Sequence, residues 1–194
     1  MTRILLTAFE PYDRWRENSS WLALVDLTSW YQGPLEFSTR RYPVDLAKMT
    51  ATLENDLADG YDLAIHLGQS PGSPLIKLEA VGLNLKTNGE SIRGDAPAAY
   101  RTRLNLTSCI ERLSEAGIPA QVSHHAGTYL CNATLFLSQH LSAMMGQRTD
   151  SVFVHLPLTP AQAAKEPAPM ASMSTPMQSA AVMMIAQQLV DSAS

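Results

Sequence analysis

Short apolar segments that end in polar loops alternate with segments of helical periodicity along nearly the whole chain. Residues 3–8, 61–68 and 151–156 have the length and apolar character of buried strands, with β-branched residues among them. Strands that are buried on both faces need helices on both sides of the sheet. The alternation therefore predicts an α/β protein, a three-layer αβα sandwich with a mostly parallel central sheet.

Turn and capping residues set the limits of the other predicted elements. Further strands are predicted at 36–42, 75–85 and 120–123, and a loop rich in Asn, Gly, Glu and Asp at 86–96. Helices are predicted from a cap at 18–20 to about residue 31, over 44–58, from near 98 to about 116, from about 129 to 145, and from Thr175-Pro176 to about 190.

Composition narrows the class of protein. The 194 residues are 45% hydrophobic and 16% charged, which predicts one domain over residues 1–194. A net charge of -4 without a long basic cluster predicts no nucleic acid partner. The apolar runs are too short for a signal peptide or a membrane span, so we expect a soluble, cytoplasmic protein with no membrane partner. Cys109 and Cys131 form no CxxC or His-rich pattern, so no metal site is predicted.

Cys131 is the stronger of the two candidate nucleophiles. It lies about three residues into a helix whose start is marked by Gly127 and Thr128, where free backbone N–H groups and the helix dipole stabilise a thiolate. Cys109 lies in the middle of a predicted helix. The alternative for Cys131 is a packed thiol in the core, which is the common fate of cysteine.

Several polar residues end or follow predicted strands, where active sites of α/β sheets lie. His155 closes an apolar strand and is a candidate base, but His66 ends a strand in the same way, so the local pattern does not separate them. Glu79 lies inside a predicted strand, where a carboxylate is rare unless it is paired. It either orients the base or lies on a solvent-facing edge. Glu10 and His124 are the other polar residues at strand ends.

Five segments together resemble the pyroglutamyl peptidase I (pyrrolidone-carboxylate peptidase) family of cysteine peptidases. The resemblance covers nearly the whole chain, and the segment around the cysteine is the most specific. The segments are 4–12 (ILLTAFEPY), 64–72 (AIHLGQSPG), 78–84 (LEAVGLN), 123–132 (SHHAGTYLCN) and 153–157 (FVHLP).

The resemblance implies a phosphorylase/hydrolase-like α/β sandwich that removes an N-terminal pyroglutamyl residue from peptides through an acyl-enzyme. It makes Cys131 the nucleophile, His155 the base and Glu79 the group that orients the imidazole. It also implies no metal and no organic cofactor, peptide substrates with N-terminal pyroglutamate, and a homo-oligomer, a dimer or tetramer. In the substrate pocket it assigns the lactam ring to Phe9 and Tyr12, and the polar edge of the lactam to the backbone of Gln69.

Three departures from the family pattern lie close to these segments. Ala8 replaces a glycine, and Asp13-Arg14 replaces a glycine pair, which stiffens the loop beside the pocket. Gly89 stands where the family has an Arg near the developing oxyanion, so we expect a slower enzyme unless Arg93 takes that role. Two alternatives stay open: a family member with lost or altered activity that binds pyroglutamyl or other N-acyl ligands, and a phosphorylase or other α/β enzyme that shares only the sandwich.

Overall fold

A six-stranded sheet forms the centre of the molecule. The computed structural model describes residues 2–193. Its strands are β1 (Arg3–Phe9), β2 (Glu36–Tyr42), β3 (Leu63–Gln69), β4 (Ile76–Glu79), β5 (Val81–Leu83), β6 (Ala99–Arg101), β7 (Ala120–Ser123) and β8 (Asp150–Leu156). The sheet order is β2-β1-β3-β8-β4-β7. Strands β2, β1, β3 and β8 are mutually parallel, whereas β4 is antiparallel to β8 and parallel to β7. The mostly parallel sheet is therefore confirmed.

Helices cover both faces of this sheet, which confirms the three-layer architecture. They are α1 (Ser19–Trp30), α2 (Leu46–Ala58), α3 (Leu106–Glu115), α4 (Leu130–Met144), α5 (Pro160–Ala163) and α6 (Thr175–Ala193). Helix α6 packs against α1 and α3 on one face, and α2 packs against α4 on the other. Within residues 2–193, none of the helices has the length and apolar character needed to cross a membrane.

Strand β1 shows why the sheet is buried on both sides. Ile4 and Leu6 belong to the core under α1, α3 and α6, while Leu5 and Phe9 belong to the core under α2 and α4. Alternate side chains of a strand point to opposite faces, so one apolar run supplies both layers. The carboxyl end of β1 therefore delivers Phe9 to the face that carries α4.

Three helix starts follow the expected capping chemistry. Asn18 caps α1, Asp45 caps α2 and Asn105 caps α3, each through its side-chain oxygen and a backbone N–H of the first turn. Helix α4 differs, because the side chain of Tyr129 makes no capping hydrogen bond there. The first N–H groups of α4 are consequently free of a side-chain cap from the preceding residue.

The single strand predicted over residues 75–85 is wrong. The chain forms β4 in the central sheet, crosses at Ala80, and continues as β5 in a separate two-stranded antiparallel sheet with β6. Gly82 of β5 lies against α4, where an added Cβ would meet the backbone N of Phe136 at 2.6 Å. The close packing of β5 on α4 explains why the two halves of the segment separate.

The helix predicted from near residue 98 is also wrong in its first part. Residues Ala99–Arg101 form β6, and α3 begins only at Leu106, after its cap Asn105. Tyr100 packs its ring on Phe136 with the centroids 5.4 Å apart. Pairing with β5 and this ring contact outweigh the local helical preference. The predicted loop at 86–96 contains no helix or strand and is confirmed.

A buried hydrogen-bond network crosses the sheet beneath the strand ends. The Nδ1 atom of His66 is 2.8 Å from Thr7 Oγ1, and its Nε2 atom is 3.0 Å from Ser138 Oγ. Ser138 Oγ in turn lies 2.7 Å from Ser151 Oγ. Burial lowers the pKa of His66 to about 3. The imidazole is therefore neutral in the folded protein at neutral pH.

This network predicts a pH-dependent stability. Unfolded His66 gains a proton below its ordinary pKa of about 6.5, while the folded group stays neutral down to about pH 3. The unfolded state binds more protons in this window, so the unfolding free energy of the wild type falls with pH, by up to about 1.4 kcal/mol per pH unit from this group once the pH is below 6.5. Urea unfolding at pH 7, 6 and 5 measures the unfolding free energies of the wild type and His66→Gln. The difference between them in favour of the wild type should become smaller as the pH falls. Parallel curves for the two proteins would contradict this assignment.

Candidate active site

Three chemistry-bearing side chains from different elements meet on the α4 side of the sheet. Cys131 is the second residue of α4, His155 lies near the carboxyl end of β8, and Glu79 ends β4. In the antiparallel β4–β8 pair, Glu79 is opposite Phe153, which is two residues before His155 and shares its face of the sheet. Glu79 and His155 are thus diagonal neighbours. The structure brings together the cysteine, histidine and carboxylate singled out in the sequence.

The imidazole of His155 lies between the Glu79 carboxylate and the Cys131 side chain and interacts with both. The Nδ1 atom of His155 lies 2.8 Å from Glu79 Oε1. The side chain of Cys131 lies close enough to the imidazole to raise the pKa of His155. Glu79 is 1% exposed and His155 is 9% exposed, whereas Cys131 is partly exposed. A buried carboxylate therefore holds the ring, and the sulfur stands on the solvent side.

The charges within this group are mutually supporting. Burial alone would lower the pKa of His155, but its interactions with the side chains of Cys131 and Glu79 raise it to about 9. Burial alone would raise the pKa of Glu79, but the hydrogen bond and charge of His155 bring it below its ordinary value. At neutral pH the arrangement favours an imidazolium on His155 beside the ionised carboxylate of Glu79.

The start of α4 supplies backbone donors beside the sulfur. The first intrahelical bond runs from Ala133 N to Tyr129 O, so the N–H groups of Leu130 and Cys131 precede the helical ladder. Asn132 fixes this turn in place: its side chain bonds the N–H of Leu83 at 2.7 Å and the carbonyl oxygens of Leu83 and Leu85 at 2.9 and 3.0 Å. Free N–H groups at a helix start suit an oxyanion.

Sequence reasoning assigned no role to Asn132 or Gly68. An added Cβ at Gly68 would meet the Phe153 ring at 2.6 Å and Cys131 Sγ at 3.2 Å. Only glycine lets β3 pass this close to the sulfur. A glycine inside an apolar strand pattern and an asparagine in the first turn of a helix, where it is a weak helix former, are the signals that point to these positions.

An apolar pocket opens next to the sulfur. Its volume is about 100 Å³, and its lining residues are Phe9, Tyr12, Asn18, Val44, Gly68, Gln69, Tyr129, Leu130 and Cys131. Phe9 is held by an edge contact with Tyr42 and by a tilted contact with Phe153, with ring centroids 6.3 Å apart in both pairs. The pocket therefore contains the three residues that the resemblance assigned to substrate binding, and it suits a small uncharged ring.

The side-chain oxygen of Gln69 is hydrogen-bonded within the protein. Its Oε1 accepts hydrogen bonds of 2.8 Å from the backbone N of Ser19 and from Nε2 of Gln162. These contacts fix the starts of α1 and α5 beside the pocket, while Nε2 of Gln69 is buried without a hydrogen-bond partner among residues 2–193. On the loop after Tyr12, Asp13 has φ of 52°, in the left-handed region that glycine adopts more readily.

The remaining cysteine and histidines lie elsewhere. Cys109 is buried in α3, and its burial raises the pKa of the thiol to about 11. His124 and His125 are exposed on the loop before α4, and His140 pairs with the Tyr100 hydroxyl at 3.0 Å. Among residues 2–193, no three His, Cys, Asp or Glu side chains are grouped as a metal site requires.

Arg93 lines a groove beside α2 that is separate from the pocket at Cys131. Its neighbours in that groove include Thr50 and Glu54. Its backbone N–H and carbonyl are both bonded to the side chain of Asn84, at 2.9 and 2.6 Å. Gly89 sits in a turn with φ of 85°. These positions argue against Arg93 as a substitute donor for an oxyanion.

Replacing Arg93 with alanine should accordingly leave kcat for pyroglutamyl amides within about twofold of the wild-type value, because its side chain lies in another groove. Steady-state kinetics on a pyroglutamyl-coumarin amide give the comparison. A fall of tenfold or more in kcat with an unchanged KM would instead indicate that Arg93 stabilises the oxyanion.

Comparisons with known proteins agree with this geometry. The model of the pyroglutamyl peptidase family matches residues 2–191. The chain is 34% identical over 172 residues to the pyrrolidone-carboxylate peptidase of Pyrococcus furiosus, covering 82% of this chain and 83% of that protein. The crystal structure of the Fervidobacterium islandicum AW-1 pyrrolidone carboxyl peptidase aligns with a TM-score of 0.92 and 33% identity, covering 98% of this chain and 99% of that one. Pyroglutamyl peptidase I of Bacillus amyloliquefaciens aligns with a TM-score of 0.90 and 29% identity, covering 98% of both chains. The chain belongs to the pyroglutamyl peptidase family of cysteine peptidases.

Proposed function

We propose that this enzyme hydrolyses the amide bond after an N-terminal pyroglutamyl residue, with Cys131 as nucleophile, His155 as acid and base, and Glu79 as the orienting carboxylate. One observation carries the assignment of residues. Glu79 is hydrogen-bonded to His155, and His155 interacts with Cys131, which lies in the wall of an apolar pocket. Nucleophile, base and orienting group in this order are what acyl transfer requires.

Acylation begins when the Cys131 thiolate forms a bond to the pyroglutamyl carbonyl carbon and the carbonyl π electrons move to oxygen. The N–H groups at the start of α4 stabilise that oxyanion. The carbon–nitrogen bond then breaks, and the leaving amine takes the proton of the His155 imidazolium. A thioester on Cys131 and a free peptide amine remain.

Deacylation uses the same residues in reverse. Neutral His155 takes a proton from water as the water oxygen bonds to the thioester carbon. The carbon–sulfur bond breaks, pyroglutamic acid leaves, and the thiolate faces the imidazolium again. Glu79 keeps the imidazole in one orientation and stabilises its charged form, as the buried carboxylate of a catalytic triad does.

The pocket predicts a strong preference for pyroglutamyl over prolyl substrates. Phe9, Tyr12 and Val44 give it apolar walls, whereas the ring nitrogen of an N-terminal proline is charged. Burying that charge without a partner is costly. We expect kcat/KM for pyroglutamyl-coumarin amide to exceed that for prolyl-coumarin amide by roughly 10²-fold or more.

Phe9→Ala tests whether the pocket is the source of this preference. The variant should lose activity on the pyroglutamyl amide mainly through a higher KM. Similar kcat/KM values of the wild type for the two amides would argue against the pocket assignment.

A second candidate is a family member that binds pyroglutamyl or other N-acyl ligands without turnover. The observation that favours it is Gly89, at the position where the resemblance expects an arginine. It predicts that pyroglutamate raises the melting temperature while no pyroglutamyl amide is hydrolysed. Measured hydrolysis that is lost with iodoacetamide would eliminate it.

We further infer that residues 1–194 act as one domain, in the cytoplasm, as a homo-oligomer. The six-stranded sheet draws strands from residues 3 to 156, which supports a single unit. A catalytic cysteine must stay reduced, which the cytoplasm ensures. Exposed Trp30 on α1 and Met177 on α6 offer apolar contacts to a second copy. Sedimentation equilibrium distinguishes a dimer or tetramer from a monomer.

A further inference from the structure

A second cavity borders the pocket at Cys131 on the side of α2. It has a volume of about 220 Å³ and lies between the start of α2, the loop after β5 and the first turn of α4. We name it the leaving-residue groove. Its apolar members are Leu46, Leu85, Ile92, Tyr129, Leu130 and Ala133.

The two cavities are neighbours at the first turn of α4. Tyr129 and Leu130 line both of them, and the next residue in the chain is Cys131. Tyr129 is 58% exposed although it is a large aromatic residue. An exposed ring at the junction of two apolar cavities is placed to contact a ligand that occupies both.

The groove is already formed in the free protein. Asn84 ties the loop that forms its outer wall through bonds to the backbone of Arg93 and to the carbonyl oxygen of Ala96, the latter at 3.2 Å. Thr87 Oγ1 donates to the carbonyl oxygen of Thr128 at 3.1 Å, which joins this wall to the start of α4. A preformed cavity binds without the cost of ordering a loop.

Resting on the proposed function, we infer that the leaving-residue groove binds the side chain of the residue after pyroglutamate and selects an aliphatic one. With the acyl carbon at Cys131 Sγ and the lactam in the first pocket, the leaving amine lies at the border of the two cavities. The following Cα is within about 3.8 Å of the pyroglutamyl Cα along the chain. Its side chain therefore enters the adjacent groove.

The chemistry of the groove favours an aliphatic occupant. Ile92 and Leu46 are partly exposed, and their free surface is covered when an apolar side chain binds. Lys86 at the rim forms an exposed ion pair with Glu90 at 3.3 Å. A glycine in this position leaves the groove empty, and an acidic side chain brings an unpaired charge to an apolar surface.

The test measures kcat/KM for pyroglutamyl-leucine, pyroglutamyl-glycine and pyroglutamyl-glutamate amides on one preparation of each protein. The wild type should prefer the leucine amide to the glycine amide by on the order of tenfold. In Ile92→Lys, the ratio of kcat/KM for the leucine amide to that for the glycine amide should fall to about one. The kcat/KM for the glutamate amide should rise severalfold relative to that for the glycine amide. The control Val25→Lys replaces an exposed aliphatic residue on α1, away from both cavities, and should keep the wild-type ratios.

Equal wild-type rates for the leucine and glycine amides, or ratios that Ile92→Lys leaves unchanged, would overturn the groove assignment while the proposed function stands. A wild-type protein that hydrolyses none of the three amides would refute the proposed function, and the groove assignment with it. If the leucine-to-glycine ratio of kcat/KM fell as much in Val25→Lys as in Ile92→Lys, the effect would be a nonspecific one of added charge, and this result would also overturn the assignment.

Discussion

Replacing Cys131 with alanine is expected to abolish hydrolysis of pyroglutamyl amides, with a fall in kcat of roughly 10⁴-fold or more, as for nucleophiles of other acyl-transfer enzymes. The sulfur is the only group of the proposed series that bonds to the acyl carbon. Its side chain is small and partly exposed, so the fold should survive the change. Near-wild-type melting together with lost turnover, measured on a pyroglutamyl-coumarin amide, is the expected pair of results.

Cys109→Ala is the matched control for this experiment. Cys109 is buried in α3, and the raised pKa of its thiol keeps it protonated at neutral pH. The variant should melt at a slightly lower temperature and retain its hydrolytic rate. If Cys131→Ala kept its rate while Cys109→Ala lost it, the nucleophile would be Cys109.

His155→Ala should be almost as damaging as loss of the sulfur, because His155 is the imidazole that interacts with the Cys131 side chain. Glu79→Gln should cost less, on the order of 10²- to 10⁴-fold in kcat, because the base is still present but poorly oriented. A Glu79→Gln enzyme with full activity would reduce Glu79 to a structural role.

The pH profile separates orientation from simple structural damage. The interactions of His155 with Cys131 and Glu79 raise its pKa to about 9, so wild-type kcat/KM should fall as the pH rises through that value and the acid loses its proton. Glu79→Gln removes one of the stabilising contributions and should move this limb to lower pH. If Glu79→Gln had lower activity but its kcat/KM fell at the same pH as in the wild type, the electrostatic part of the proposal would be contradicted.

The parallel strands could be predicted because a strand that is buried on both faces is a continuous apolar run in the sequence. Strands β1, β3 and β8 are apolar on both faces, and their predicted limits agree with the structure within about two residues. The sequence does not indicate the direction of β4, because β4 pairs with β8, a strand that is far from it in the chain. The same is true of β6, whose partner β5 overrides the helical pattern around residue 99.

The site could be predicted in part. His66 and His155 end similar strands, and only their neighbours distinguish them: Thr7 and Ser138 for His66, Glu79 and Cys131 for His155. Before the structure was known, the roles of His155 as base and Glu79 as orienting group were implied by the resemblance to the pyroglutamyl peptidase I family. The leaving-residue groove had no sequence signal, because it arises where the irregular loop after β5 meets the start of α4.

The most direct test of the central claim is limited alkylation with iodoacetamide, followed in the same samples by residual hydrolysis of a pyroglutamyl-coumarin amide and mass spectrometry of both cysteine peptides. The proposal predicts that activity falls in proportion to the modification of Cys131 while Cys109 stays unmodified. Full modification of Cys131 with undiminished hydrolysis would contradict it.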